Sequence, residues 1–344
     1  MKNKLLNKSF VIIAVLAALA LLISGWSGYI DPRLFWPAAF TSLVFPYLYI
    51  LTGVLFLVGL MIKNHRAWLL FILLIGFSTL FRQSFFNISL PEPTSDGLKI
   101  LSHNIGSSLP ANRPAEWNFY LNQKADILCF QEWQLSNPSV KKIRDSIEKN
   151  YYSTLKEAVN ARPIFSKHPI LSKGILDSRS KGNGTTWADI LYHQDTLRIY
   201  NVHLVSNRIS GQTEQLMNAA NIKNASTWQK IKRVLNRYKE ALLLRTDQAE
   251  ELKKVMDHSP HPFILAGDFN DIPSTYIFRL LSGQLNDAWL QSGNGLAYTY
   301  AGKLPFLHID QVLCSQSLKG TNFTIHRVRY SDHFPVTATL KVSR

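Results

Sequence analysis

The sequence predicts an α/β sandwich preceded by about three transmembrane helices. Two observations carry this. Residues 10–30, 34–62 and 67–81 carry no charge at all. From residue 98 onward, short runs rich in β-branched residues alternate with segments of helical periodicity. The composition agrees: 46% of the 344 residues are hydrophobic and 18% charged, which leaves ample apolar material for a core and excludes a disordered chain. Two cysteines, Cys129 and Cys314, exclude a disulfide scaffold, and both lie in apolar runs as packed thiols. The net charge of +15 calls for an anionic partner without choosing among nucleic acid, phosphate esters and a membrane surface.

A bilayer-spanning helix needs about 20 apolar residues. The run at 10–30 meets that length, with its most apolar part at Phe10–Ile23. The run at 34–62 contains Pro37 and Pro46 and is long enough to cross with a tilt or kink. The third, Ala67–Phe81, crosses if it continues to Phe86 with Arg82 snorkelling. Trp26, Tyr29, Trp36 and Trp68 stand near the run ends, as interfacial aromatics do. A cleaved signal peptide is the alternative for the first run, and two crossings for the whole region. Lys2, Lys4 and Lys8 precede the first run, and Lys63, His65 and Arg66 separate the second from the third. The positive-inside rule then puts the N-terminus in the cytoplasm, and three crossings put everything after residue 86 outside the cytoplasmic membrane. Residues 1–86 are the expected transmembrane region (about 10–30, 34–62 and 67–86), 87–97 a Pro-rich linker, and 98–344 the soluble domain. That linker spans at most about 35–40 Å, so the domain stays near lipid. Seven Lys/Arg and one Asp fall in the first 90 residues, against 31 basic and 22 acidic residues beyond.

In the soluble part the expected strands are Lys99–Ile105, Asp126–Gln131, Ile164–Phe165, Thr185–Leu191, Leu197–Leu204, Phe263–Ala266, Ile309–Cys314, Asn322–Val328 and Val336–Val342. Pro114–Gln123, Pro138–Lys149 and Pro273–Leu281 read as helices with Pro in the first turn. The longest helix runs from about Thr227 to Asp257, with one apolar stripe interrupted by Arg245. That arginine either sends its head into solvent or forms a buried pair. Residues 223–254 hold nine Lys/Arg against four Asp/Glu, a solvated face or a surface for an anion.

Polar clusters end the strands: Ser102-His103-Asn104, Gln131-Glu132-Trp133, Asn201-Val202-His203, Gly267-Asp268-Phe269-Asn270-Asp271, His308-Ile309-Asp310 and Ser331-Asp332-His333. Each alone is an ordinary turn or loop. Together they place several carboxylates, histidines and asparagines outside strand ends, where α/β sheets bind ligands. Carboxylate and amide oxygens suit Mg²⁺ or Mn²⁺. No zinc-type Cys/His spacing, Gly-rich phosphate loop or Gly-x-Ser-x-Gly elbow occurs.

Over about residues 98–342, the order of these clusters resembles the endonuclease/exonuclease/phosphatase superfamily, with its deoxyribonucleases, AP endonucleases, inositol polyphosphate 5-phosphatases and neutral sphingomyelinases. Gly-Asp-Phe-Asn followed about 60 residues later by Ser-Asp-His is the most specific part. The resemblance implies a two-sheet β-sandwich flanked by helices. It implies Glu132 as the principal Mg²⁺ (or Mn²⁺) ligand, with Asn104 and Asp332 beside the metal. Asp268 would orient or deprotonate the attacking water, and Asn270 would hold the phosphate or that water. His333, paired with Asp310, would be general base or transition-state stabiliser, and His203 would contact a phosphoryl oxygen or protonate the leaving group. AP endonucleases usually carry Asp where this chain has Gly106 and Tyr where it has His203, so the deoxyribonuclease, sphingomyelinase and 5-phosphatase branches fit better. The four-cysteine pattern of pancreatic-type deoxyribonuclease is absent, and Val205–Ser226 has no obvious counterpart, reading as a surface loop or a membrane-facing flap.

The resulting expectation is a membrane-tethered, Mg²⁺-dependent phosphoesterase whose substrate is a phosphate ester, such as a lipid headgroup, and whose partner is the bilayer. A tethered nuclease acting on DNA or RNA is the alternative, and a non-catalytic binding module a third. No protein partner is inferable.

Overall fold

Helix-forming apolar residues dominate the first 86 positions, but prolines and small residues cut them into pieces. In the computed structural model, which describes residues 2–89, 97–106, 114–134, 136–155, 162–177, 183–206, 225–302 and 306–342, they form α1 (Lys2–Trp26), α2 (Pro32–Phe35), α3 (Pro37–Ser42), α4 (Phe45–Met61), α5 (Ala67–Gly76) and α6 (Ser78–Ser84). Pro32, Pro37 and Pro46 each open a new helix, where their missing N–H is harmless. The expectation of about three membrane-spanning helices is therefore corrected. One stretch, Asn7–Tyr29, is helical, long and apolar enough to cross, or two if the bent α5–α6 pair counts as one crossing. α4 has 17 residues, about 25 Å of rise against a hydrocarbon core of about 30 Å. α5 and α6 bend by 57° at Phe77, beside which the Ser78 hydroxyl donates to the Ile75 carbonyl at 2.8 Å. Gly25 of α1 faces this bend, and a Cβ there would lie 2.3 Å from the Phe77 ring.

The remaining chain supplies β1 (Phe86–Asn87), β2 (Leu98–Asn104), α7 (Pro114–Asn122), β3 (Ile127–Gln131), α8 (Pro138–Ile147), β4 (Tyr152–Ser153), β5 (Ile164–Ser166), β6 (Ile170–Asp177), β7 (Gly184–Tyr192), β8 (Asp195–His203), α9 (Ala225–Asp257), β9 (Phe263–Asp268), α10 (Tyr276–Ser282), β10 (Asn286–Asp287), α11 (Ala288–Ser292), β11 (Gly295–Leu296), β12 (Asp310–Cys314), β13 (Leu318–Ile325) and β14 (Val336–Val342). Two six-stranded sheets result, ordered β10-β12-β9-β8-β7-β6 and β13-β14-β2-β3-β5-β4. They are antiparallel except for the central pairs β8/β9 and β2/β3.

The expected sandwich is present. Ile100, Cys129, Ile199, Ile264, Val312 and Ala338 interdigitate between the sheets. The outer face of the first sheet (Tyr200, Val202, Leu265) packs on Tyr238, Leu242, Ala249 and Leu252 of α9, and that of the second (Leu101, Leu128, Phe165) on α7 and α8. Cys129 and Cys314 are buried free thiols, as expected. The helix expected over Pro273–Leu281 starts later, at Tyr276, where the Thr275 hydroxyl caps the Phe278 amide. β6 was not expected: Ser172-Lys173-Gly174 breaks its apolar pattern, as suits an edge strand with a bulge. Asn87, the first residue of the expected linker, is buried in β1, which pairs with β11; residues 90–96 of that linker lie outside the described residues.

Candidate active site

Register gathers the polar residues. On the first sheet, His203 of β8 is paired with Asp268 of β9, and Asp268 with Asp310 of β12. Directly opposed residues share a face, so these three side chains form one row across adjacent strand ends. On the second sheet, Asn104 of β2 is paired with Gln131 of β3, and Glu132 follows. His333 precedes β14, the antiparallel neighbour of β2. Gln131 and Asn201 bond across the gap at 2.7 Å and tie the two sheets together just beneath the site.

The side chains meet closely. The Asn104 amide donates to Asp268 Oδ2 at 2.9 Å and to Glu132 Oε1 at 3.2 Å, bridging the sheets. Asp268 Oδ1 accepts from the Asn270 amide N–H at 2.8 Å, and Asn270 Nδ2 lies 3.1 Å from Asp268 Oδ2. His203 Nε2 stands 3.7 Å from Asp268 Oδ2 and 3.8 Å from Glu132 Oε1. His333 Nδ1 meets Asp310 at 2.9 Å and points Nε2 at Asp268 Oδ2, 3.7 Å away. Two non-glycine residues here, Glu132 (φ 57) and Asn270 (φ 51), adopt the left-handed region, strain that concentrates at functional sites. Gly267 has φ 145, and a Cβ there would sit 2.0 Å from the Val202 carbonyl oxygen.

Burial disfavours charge on His333, but Asp310 and Asp268 outweigh it and raise its pKa to about 10. The two carboxylates therefore favour the protonated ring. Burial pushes the Asp268 carboxyl upward against the pull of His333, His203 and Asn104. Beneath them, burial lowers His103 to about 3. Neutral His103 meets Tyr120 Oη at 2.6 Å and donates from Nε2 to the His333 carbonyl at 3.1 Å, while the Ser331 hydroxyl donates to the Asn104 carbonyl at 2.7 Å. His103 and Ser331 thus hold the two sheet-end segments in place. Both stand in the sequence clusters, yet only burial and hydrogen bonding reveal the role.

All eight residues expected at the site occupy this end of the sandwich, but not as one cluster. Among the described residues, ligand atoms of Asp268, Asp310 and His333 lie within 4.8 Å of one another. Asp310 and His333 are bonded to each other, so their closest atoms are already engaged. Glu132 is 31% exposed and Asp332 is exposed at the rim. Asp332 Oδ1 would lie 3.7 Å from a Cβ at Gly106, whose N–H donates to Asn104 Oδ1 at 3.0 Å. Glu132 and Asp332 offer accessible carboxylate oxygens, with the buried amide of Asn104 beside Glu132, an all-oxygen set without sulfur that fits a divalent cation of the Mg²⁺ or Mn²⁺ type.

α9 braces the strand ends from behind. Arg245 is 1% exposed, donates from Nε to the Val205 carbonyl at 2.8 Å and pairs through Nη1 with Asp271 Oδ2 at 3.2 Å. The buried pair, not the solvated head, is what forms. It joins the segment after His203 to the segment after Asp268. Of Val205–Ser226, residues 207–224 lie outside the described residues.

Comparison with known proteins adds the family. A model described as the Endonuclease/Exonuclease/phosphatase family matches residues 85–333. The chain belongs to the endonuclease/exonuclease/phosphatase family. It is accordingly a metal-dependent hydrolase of phosphoric ester bonds. A second model, a domain of unknown function (DUF8431), matches residues 7–84. No curated protein matches. Among solved structures, an endonuclease/exonuclease/phosphatase from Bacteroides vulgatus aligns with a TM-score of 0.54 at 14% identity, covering 72% of this chain and 100% of that one. A family protein from Bacteroides thetaiotaomicron gives 0.52 at 15%, over 72% and 99%. D. rerio TDP2 complexed with a single-strand DNA product gives 0.52 at 14%, over 72% and 100%. At these identities the solved structures establish the shared fold.

Proposed function

We propose that this family member is a membrane-held phosphoesterase using Mg²⁺ (or Mn²⁺) and acting on lipid-headgroup phosphate esters. The observation that carries the reading is the row His203–Asp268–Asp310, closed by His333 and bridged through Asn104 to Glu132. Glu132, Asn104 and Asp332 would hold the cation, which would neutralise charge on a phosphoryl oxygen as a Lewis acid. Asp268, fixed by the Asn270 N–H and Asn104, is aimed to accept a hydrogen bond from the attacking water and take its proton. Asn270 fixes the Asp268 carboxylate and borders the phosphate. Asp310 and Asp268 favour the protonated form of His333, which suits it to stabilise developing phosphoryl charge. His203, 3.7 Å from Asp268, contacts a non-bridging oxygen or protonates the leaving group.

The membrane part of the reading rests on the apolar Asn7–Tyr29 helix and the basic residues at its far end, with the catalytic domain outside the cytoplasmic membrane. A signal sequence passes the same length and composition test, so the membrane fraction is the discriminating assay. Beyond residue 90 the basic excess, 31 against 22, favours nucleic acid as the second reading.

The test uses the full chain in mild detergent with Mg²⁺, and Asp268→Asn as control. The expected result is hydrolysis of phospholipid headgroups in mixed micelles, lost with chelator and in the variant, and little changed between 50 and 200 mM salt. Plasmid nicking with steep salt dependence, and no lipid product, would replace the lipid reading with the nuclease. Activity that survives Asp268→Asn would remove the residue roles given above.

A further inference from the structure

A helix end leaves its last carbonyls without intrahelical partners. Two of these carbonyls in α6, and that of Phe85 just after it, accept from the catalytic domain. The Trp289 indole N–H donates to the Arg82 carbonyl at 2.9 Å, His308 Nδ1 to the Gln83 carbonyl at 2.7 Å, and the Ala297 N–H to the Phe85 carbonyl at 2.8 Å. Just beyond, the fully buried Asn87 amide donates to the carbonyls of Trp289, Leu290 and Gly293 at 2.8–3.1 Å. His308 is 0% exposed, and burial lowers its pKa to about 4, so it is a neutral Nδ1–H donor. With that acceptor removed, the imidazole would keep a buried, unpaired donor.

These contacts lead directly to the reacting residues. His308 is two positions from Asp310. The Thr299 hydroxyl accepts from the N–H groups of Ile309 and Asp310 at 3.1 and 2.9 Å, and the Thr299 carbonyl accepts from Phe334, the neighbour of His333, at 2.7 Å. Tyr300 bridges to His333 along the backbone and packs edge-on against its ring at 5.3 Å. Residues 297–300 and 308–310 are thus anchored on one side to the end of α6 and on the other to both members of the Asp310–His333 pair.

We infer that the C-terminal turn of α6 is a positioning element of the active site, acting through His308 and Thr299 on the Asp310–His333 pair. The N-terminal helices are then a required part of the enzyme and not merely a leash. The consequence for activity rests on the proposed phosphoesterase reading; the structural coupling does not.

The test compares His308→Leu with His308→Asn in the full chain, because asparagine can keep an N–H donor at the Nδ1 position. Turnover of bis(4-nitrophenyl) phosphate with Mg²⁺ and amide hydrogen exchange of 297–300 and 308–310 are both read. His308→Leu is expected to lower kcat about ten- to a hundredfold with KM within about twofold, as small misplacements of reacting groups do, and to speed exchange at Ile309 and Asp310. His308→Asn is expected to restore both. Should His308→Leu fold poorly, Trp289→Phe removes a second donor while keeping the ring, and is expected to move exchange in the same direction. Unchanged exchange and kcat in His308→Leu or Trp289→Phe would overturn the inference. So would an Asn variant as impaired as Leu, since the role would then be ring packing. A wild-type chain without phosphoesterase activity, but with the expected exchange pattern, would defeat the functional reading and leave the coupling standing.

Discussion

At the residue scale, Asp268 shows how function and stability pull apart. It is 1% exposed, and burial raises its pKa, so the folded chain bears a cost for keeping a carboxylate there. The cost is met only by donors placed around it, and those donors leave it aimed at the reaction. Asp268→Asn is expected to lower kcat about 10²- to 10⁴-fold while raising the midpoint of thermal unfolding in metal-free buffer. Turnover and a melting curve on one preparation check both directions, and a variant that is both inactive and less stable would argue for a structural role. Asp310 and His333 act as one unit at 2.9 Å, so Asp310→Asn and His333→Ala are expected to cost together little more than either alone, a non-additivity that a double-mutant cycle reads directly. Gly267 belongs to the same scale. A methyl group 2.0 Å from the Val202 carbonyl oxygen, at φ 145, fits neither strand, and Gly267→Ala is expected to prevent accumulation of folded protein.

At the element scale, α9 braces the site from behind. Arg245 is buried against Asp271 and the Val205 carbonyl, and Arg245→Met strands a buried carboxylate. The expected destabilisation is about 3–5 kcal/mol by denaturant unfolding, with part recovered when Asp271→Leu is added, since an apolar pair replaces a half-broken ionic one. An additive double variant would mean the two side chains do not depend on each other. The elements also show what a sequence can carry. β2, β3, β8 and β9 were legible because each is an apolar run that stops at a polar cluster, and β12 and β14 because a polar cluster leads into each; the candidate residues belong to those clusters. β6 was illegible because an edge strand needs no apolar alternation. Arg245 was ambiguous because periodicity registers an interruption without saying what faces it. The capping of α6 by Trp289 and His308 depends on partners more than 200 positions away, which no local pattern encodes. The convergence of Asp268 with Asp310 and His333 is likewise set by strand register.

At the scale of the whole molecule, several groups are buried in the charge state that water disfavours least, and together they set how stability responds to pH. Burial lowers His103 to about 3 and His308 to about 4 from an ordinary 6.5. Between those values and 6.5 the unfolded chain binds protons that the folded chain refuses, so the histidine contribution is complete above about 6.5 and is lost as pH falls toward 4. Asp287 works the other way: burial raises it to about 6 from 3.8, so the folded chain takes up its proton first and is relieved as pH falls through 6. Asp268 and Asp271, which burial also raises, act in the same direction as Asp287, so buried histidines and buried carboxyls oppose one another over the same acid range. The histidine share of the stability of the full chain in neutral detergent is expected to fall between pH 7 and pH 4.5, at about 1.4 kcal/mol for each tenfold difference in proton affinity. His308→Asn, which retains a donor but has no proton to gain, is expected to flatten the slope of unfolding midpoint against pH. An unchanged slope in that variant would mean that His308 binds its proton about as readily in the folded chain as in the unfolded one.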